Sequence, residues 1–107
     1  NSFLNAAVCV ETTLLPLQVL EETQRIEREL GRTEKSVNGL YADRLIDIDL
    51  LLYDDRVMDA ERLILPHPLM TERRFVMEPL SEIAPDVVHP VLHKTMKELF
   101  ISSFSPQ

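Results

Sequence analysis

Glycine, cysteine and tryptophan are scarce in this 107-residue chain: two, one and none. Two glycines, Gly31 and Gly39, cannot build a glycine-rich phosphate cradle. Nothing matches G-x-x-x-x-G-K-[ST] or the glycine loop of protein kinases, so bound phosphate must be held another way. A single cysteine excludes a disulfide framework and points to an intracellular, cytoplasmic setting. That residue, Cys9, lies in an apolar run and reads as a packed thiol. Basic residues number 11 against 18 acids, a net charge of −7, which argues against an extended nucleic-acid or anionic-membrane surface. No apolar run is long enough to cross a bilayer, and no signal peptide is read. Neither repeats nor low-complexity segments occur. What is present suits one small domain over residues 1–107: 45% of the chain is hydrophobic. A monomer is the expectation.

The most informative stretch is Arg44-Leu45-Ile46-Asp47-Ile48-Asp49-Leu50-Leu51-Leu52-Tyr53. Aliphatic and β-branched residues without Gly or Pro predict a β-strand over 44–53. Alternation puts Ile46, Ile48, Leu50 and Leu52 on a core face, and Leu45, Asp47, Asp49, Leu51 and Tyr53 on the other. The Asp47 and Asp49 Cα atoms then stand ~6.5–7 Å apart. Two like charges on one face of so apolar a strand are costly unless a cation lies between them, Mg²⁺ or a cluster of arginines. The blander reading is an edge strand whose acids face water. Leu51 and Tyr53, on the acidic face, favour a site over simple solvation.

Around this strand, residues 3–12 read as a second strand, with Asn5 and Phe3 either structural or placed to recognise a flat heterocycle. Residues 16–30 read as a helix, Pro16 opening it and Gly31 stopping it. Its apolar stripe runs through Leu17, Leu20, Val19, Thr23, Ile26 and Leu30, with Glu27 at the edge and Glu21–Arg25 spaced as an i,i+4 pair. Residues 32–43 lack either periodicity and, leading into the acidic strand, read as a lid. Residues 54–56 form a turn, and 57–65 a short strand or turn followed by an extended run. Pro66-His67-Pro68 is a rigid corner that holds His67 in place. Residues 70–83 are helical in pattern, with Pro79 expected to kink or divide them. A turn at His89-Pro90 and a terminal helix over 95–100 complete the chain, with fraying from 102.

Arg32, Arg44, Asp47, Asp49, His67 and Arg73 are the polar groups that look placed. Two acids, three arginines and a histidine suit a triphosphate held with Mg²⁺, which takes one or two carboxylates plus phosphate and water. Two such ions would clamp an in-line displacement at phosphorus.

Several segments together resemble the 6-hydroxymethyl-7,8-dihydropterin pyrophosphokinase family. They are residues 3–8 (Phe-Leu-Asn-Ala-Ala-Val), 24–32 (Gln-Arg-Ile-Glu to Leu-Gly-Arg), 44–53, 65–68 (Leu-Pro-His-Pro), 73–76 (Arg-Arg-Phe-Val) and 79–85 (Pro-Leu-Ser-Glu-Ile-Ala-Pro). The R-x-x-D-x-D and P-H-P segments carry most of the likeness. It implies transfer of pyrophosphate from ATP to the hydroxymethyl group of the pterin, with AMP leaving. It further implies that Asp47 and Asp49 bind two Mg²⁺ ions and that Arg32 and Arg44 contact the phosphates and assist transfer. Glu27, Leu50, Arg62, Leu63, His67 and Arg73 would border ATP. Phe3 and Phe75 would sandwich the pterin, with Asn5 on its edge, since a flat heterocycle gains from offset stacking.

The implied fold is α+β and ferredoxin-like, an antiparallel-rich sheet with helices packed on it. The family's opening strand–helix–strand portion is missing from this chain, which is expected to begin inside its domain. The segment before the acidic strand also departs from the family: Glu34, Lys35 and Asn38-Gly39-Leu40-Tyr41 stand where basic residues and a Trp are expected, and Pro68 stands where some members carry Tyr. Two other readings stay open: a D-x-D nucleotide-sugar transferase, and a non-catalytic ferredoxin-like module.

Overall fold

The computed structural model of the chain describes residues 5–38 and 47–104, the side chains of 32–38 excepted. The chain divides into two units, Thr13–Leu50 and Asn1–Thr12 with Leu51–Gln107. The elements in order are α1 (Pro16–Asn38), β1 (Met58–Asp59), β2 (Ile64–Leu65), a 3₁₀ turn (Met70–Glu72), α2 (Arg74–Ile83) and α3 (Met96–Phe104). The architecture is α+β, with one small antiparallel sheet among the described residues.

Helix α1 belongs to the first unit. Pro16 occupies its first turn, where a missing N–H costs nothing. The Gln18 side chain reaches back to accept from the Leu15 N–H at 2.8 Å, satisfying a donor at the entrance. Gly31 does not end the helix: α1 continues through it to Asn38. The stop expected at Gly31, and a loop beginning at Arg32, are both corrected by this. Glycine only weakens a helix by about 1 kcal/mol, less than the bonds on either side supply. A Cβ on Gly31 would meet nothing within 4 Å. Gly31→Ala is therefore expected to raise unfolding stability by about 0.5–1 kcal/mol, measured by denaturant titration. Arg25 pairs with Glu22 at 3.0 Å, an i,i+3 spacing. Leu17, Ile26 and Leu30 of the apolar stripe are 38–41% exposed.

The second unit is built on methionine. Met70, Met77 and Met96 are 0–1% exposed and cluster with Leu80 and Leu99. Unbranched thioethers fill the irregular space between α2, α3 and the 3₁₀ turn. Ala7, Leu51, Leu52, Val76 and Phe100 pack against this cluster. Leu51 and Leu52 thus face the same core, so the alternation expected along 44–53 ends at Leu50. Residues 47–53 carry no strand assignment, and neither do residues 5–12. Both strand expectations are corrected within the described residues, because a strand exists only where a ladder partner pairs with it. The Leu51 carbonyl instead accepts from the His67 N–H at 2.9 Å. With no ladder over 5–12, Val8 and Val10 are 81% and 72% exposed, and Cys9 is exposed rather than packed.

The extended run at 57–65 is a hairpin. β1 and β2 pair antiparallel, Met58 opposite Leu65 and Asp59 opposite Ile64. Ala60 and Leu63 exchange both backbone bonds, at 3.0 and 3.3 Å, leaving Glu61-Arg62 as the tip. The Leu65–Pro66 bond is cis.

Of the kink or division expected at Pro79, the division is corrected: α2 runs from Arg74 to Ile83 with Pro79 inside it. Burial of Met77 and Leu80 on either side anchors the helix and outweighs one lost bond. The chain instead breaks at Arg73, whose φ of −117° and ψ of 110° are extended. α3 runs to Phe104, past the range expected, and opens on a full capping box. The Thr95 N–H donates to Glu98 Oε1 at 2.8 Å, and the Glu98 N–H donates to Thr95 Oγ1 at 3.1 Å. The Thr95 N–H first, and then the Thr95 side chain, hold the Glu98 carboxyl below the usual carboxylate range.

His89 closes the turn before α3. Its ring is buried, and Nδ1 accepts from the N–H groups of Val91 and Leu92 at 3.2 and 3.0 Å. Burial first, then the neighbouring His93, lowers its pKa. The sign follows: the fold favours neutral His89, so its contribution is complete above the unfolded value of about 6.5 and is lost as pH falls through the lowered folded value. Thermal stability is expected to decline between pH 7 and 5, by no more than about 1.4 kcal/mol per pH unit from this one proton. His89→Asn keeps an acceptor but does not titrate, so melting curves across that range should flatten in the variant.

Candidate active site

Each unit carries its own set of functional side chains. In the unit of α1, Asp47 and Asp49 are exposed while Ile48 and Leu50 are half-buried. The two carboxylates therefore face solvent from either side of an inward-turned isoleucine. Glu27 holds that isoleucine: its Oε2 accepts from the Ile48 N–H at 2.7 Å. A carboxylate acceptor at this distance makes a charge-assisted bond, stronger than a neutral one. A helical side chain thus clamps the backbone between the two acids. Arg32 lies in the α1 backbone near its C-terminal end; Arg44 lies outside the described residues. Of the lid expected over 32–43, residues 32–38 are helix and 39–43 lie outside the described residues.

In the other unit, His67 follows the buried Pro66. Its Nδ1 accepts from the Leu69 N–H at 3.2 Å. This assigns the proton of the neutral ring to Nε2, leaving a donor directed away from the corner. Arg62 sits exposed at the hairpin tip, and Leu63 is buried behind it at 8% exposure. The Arg73 guanidinium lies 5.8 Å from the centre of the Phe75 ring, a cation–π distance.

Phe75 is 52% exposed and lines a cavity of about 360 Å³ with Asn5, Glu78, Pro79 and Glu82. Asn5 and Phe75, far apart in the chain, are thereby brought to one place. Phe3 lies outside the described residues. Glu78, Pro79 and Glu82 were not among the site residues read from the sequence. Their signal was there, since 75, 78, 79 and 82 fall at i, i+3, i+4 and i+7 and share one face of a helix.

Among the described residues, no three His, Cys, Asp or Glu groups gather as a metal cluster. A metal at Asp47 and Asp49 would complete its sphere with phosphate and water, as Mg²⁺ does. Two exposed hard-oxygen donors, carried by a clamped backbone, fit that ion. No helix among the described residues is long and apolar enough to cross a membrane.

A paired-carboxylate segment in one unit, and a cavity lined by an aromatic ring and an amide in the other, are the two groups of candidate side chains the chain presents. The family described as 7,8-dihydro-6-hydroxymethylpterin-pyrophosphokinase matches residues 1–85, and the chain belongs to it. Three relatives show the extent of the likeness. The 2-amino-4-hydroxy-6-hydroxymethyldihydropteridine pyrophosphokinase of Porphyromonas gingivalis is 53% identical over 91 residues, 84% of this chain and 61% of that protein. The enzyme of the same name from Aquifex aeolicus is 42% identical over 98 residues, 92% of this chain and 59% of that one. The folic acid synthesis protein FOL1 of Dictyostelium discoideum is 43% identical over 99 residues, 92% of this chain but 15% of its own length. The chain thus spans about three-fifths of the length of these two pyrophosphokinases.

Proposed function

We propose that this chain carries the nucleotide-facing and pterin-facing residues of a cytoplasmic enzyme that transfers pyrophosphate from ATP to 6-hydroxymethyl-7,8-dihydropterin, releasing AMP. In that reaction the pterin hydroxymethyl oxygen bonds to the β-phosphorus, the bond from that phosphorus to the α-bridging oxygen breaks, and the hydroxyl proton is lost. Asp47 and Asp49 would hold two Mg²⁺ ions on the phosphates. When bound, those ions supply charge neutralisation and alignment of attacking and leaving oxygens.

The chain's own residues do the rest. Arg32, Arg44 and Arg73 would neutralise charge moving onto the leaving phosphate, which is most of what catalysis of phosphoryl transfer requires. His67 would offer Nε2–H to the nucleotide. Leu50, Arg62 and Leu63 would lie towards adenine, Leu63 mainly as support since it is buried. Glu27 acts at one remove, by holding Ile48 so that both aspartates keep their aim. The pterin would lie in the cavity against Phe75, with Asn5 on its edge and Phe3 on its other face.

One observation carries this reading: Asn5 and Phe75, the amide and aromatic the reaction needs for a pterin, line the same cavity. The test is AMP formation followed by ³¹P NMR. AMP and the pyrophosphorylated pterin should appear in equal amounts, and only when ATP, Mg²⁺ and the pterin are all present. AMP formed without pterin, or none formed under complete conditions, would sink the proposal.

A further inference from the structure

Arg73 and Arg74 are neighbours in sequence with different surroundings. Arg74 is exposed and pairs with Glu78 at 3.4 Å, one turn along α2. Arg73 is half-buried, and its guanidinium lies 5.8 Å from the centre of the Phe75 ring. Residues two apart on a helix do not face each other. Arg73 reaches Phe75 because it stands just outside α2, with an extended φ of −117° and ψ of 110°. Its carbonyl accepts from the Val76 and Met77 N–H groups, both at 3.0 Å, which ties this backbone to the helix and to the buried Met77. Among the described residues Arg73 makes no ion pair. A guanidinium beside a ring keeps its N–H donors in its own plane, so one arginine can face a ring and grip a phosphate together. Phe75 itself is 52% exposed, on the cavity wall it shares with Asn5.

We infer that Arg73 is a positioning residue that couples the two substrates: gripped by the nucleotide phosphates, it steadies the Phe75 ring and so raises affinity for the pterin. The inference rests on reading Arg73 as a phosphate contact and the Asn5–Phe75 cavity as the pterin site. An exposed ring gives up rotamer freedom when a flat heterocycle stacks on it. A guanidinium already fixed by phosphate removes part of that cost before the pterin arrives. The contact also strengthens as the pterin strips water from the ring, because a desolvated cation–π pair is stronger than an exposed one. Together these correspond to a gain of about three- to tenfold in pterin affinity. Linkage makes the gain reciprocal, so pterin raises nucleotide affinity by the same factor.

The test measures a coupling factor by fluorescence titration of 6-hydroxymethylpterin. The factor is the ratio of its dissociation constants without and with saturating Mg²⁺ and α,β-methylene-ATP, whose bridging carbon blocks transfer. The native chain should bind the pterin at least about three times more tightly with the nucleotide present. Arg73→Gln, with nucleotide still saturating, should lower the factor about three- to tenfold. Phe75→Leu, at an exposed position, removes the π face without altering Arg73 and should lower the factor as far. Arg73→Gln in that background should then lower it no further. The inference falls if Arg73→Gln weakens the pterin equally with and without nucleotide, or weakens only the nucleotide, since either leaves the factor unchanged. Asn5→Ala separates that failure from failure of the pterin-site reading. If Asn5→Ala and Phe75→Leu weaken the pterin while the factor ignores Arg73, only the coupling is lost. If neither changes pterin affinity, the cavity is not the pterin site and both readings are lost.

Discussion

Asp49→Asn is expected to lower AMP formation by about three orders of magnitude or more, and Asp47→Asn by a similar factor. The substitution keeps shape and removes a formal charge. A carboxylate on Mg²⁺ contributes several kcal/mol of stabilisation to charge in the transition state, and about 1.4 kcal/mol is one decade in rate. Stability should move the other way or not at all. For Asp49, which is exposed two residues from the exposed Asp47, removing one charge from a metal-free pair relieves repulsion and costs no packing. Turnover at saturating Mg²⁺ and thermal melting without Mg²⁺ together give the test. Loss of activity with an unchanged or higher melting temperature is the expected pattern. A fall in rate of less than tenfold, or a rate loss matched by unfolding, would remove the aspartates from the metal.

Glu27→Ala should be the next most damaging change, by a different route. It removes the acceptor of the Ile48 N–H, and leaving a partly buried donor unmet costs about 1–3 kcal/mol. The aspartates on either side lose their support. Groups that orient metal ligands in this way are worth about 10- to 100-fold in metal affinity or activity. Glu27→Gln keeps an acceptor oxygen in place, so it should retain activity within a few-fold. The pair of variants separates two roles for this residue. If Glu27 works by its charge on the nucleotide, Gln will be as poor as Ala. If it works by holding Ile48, Gln will rescue, and the Mg²⁺ concentration for half-maximal rate will rise in Ala alone.

Much of the local structure was legible from residue types. Pro16 marked the start of α1, and the apolar spacing placed α2, since these are decided within one or two turns of chain. The alternation Asp47-Ile48-Asp49-Leu50 was legible too, and its acids do face out while its aliphatics turn in. Other features depended on groups distant in sequence. The segments at 5–12 and 47–53 have strand composition, yet a strand is a property of a pair, and composition does not supply the partner. Gly31 and Pro79 are local breakers, but neighbouring helical bonds carried the chain past one and core burial of Met77 and Leu80 past the other.

The sequence by itself determined the chemistry on offer: adjacent carboxylates, arginines and a histidine, an amide and an aromatic, and no glycine loop to hold phosphate. Only tertiary structure decided which of these meet. It put Asn5 beside Phe75, set Glu78 and Glu82 around them, and passed Glu27 to the backbone of Ile48. Side-chain type is written residue by residue, whereas proximity across many residues follows from which apolar faces are buried together.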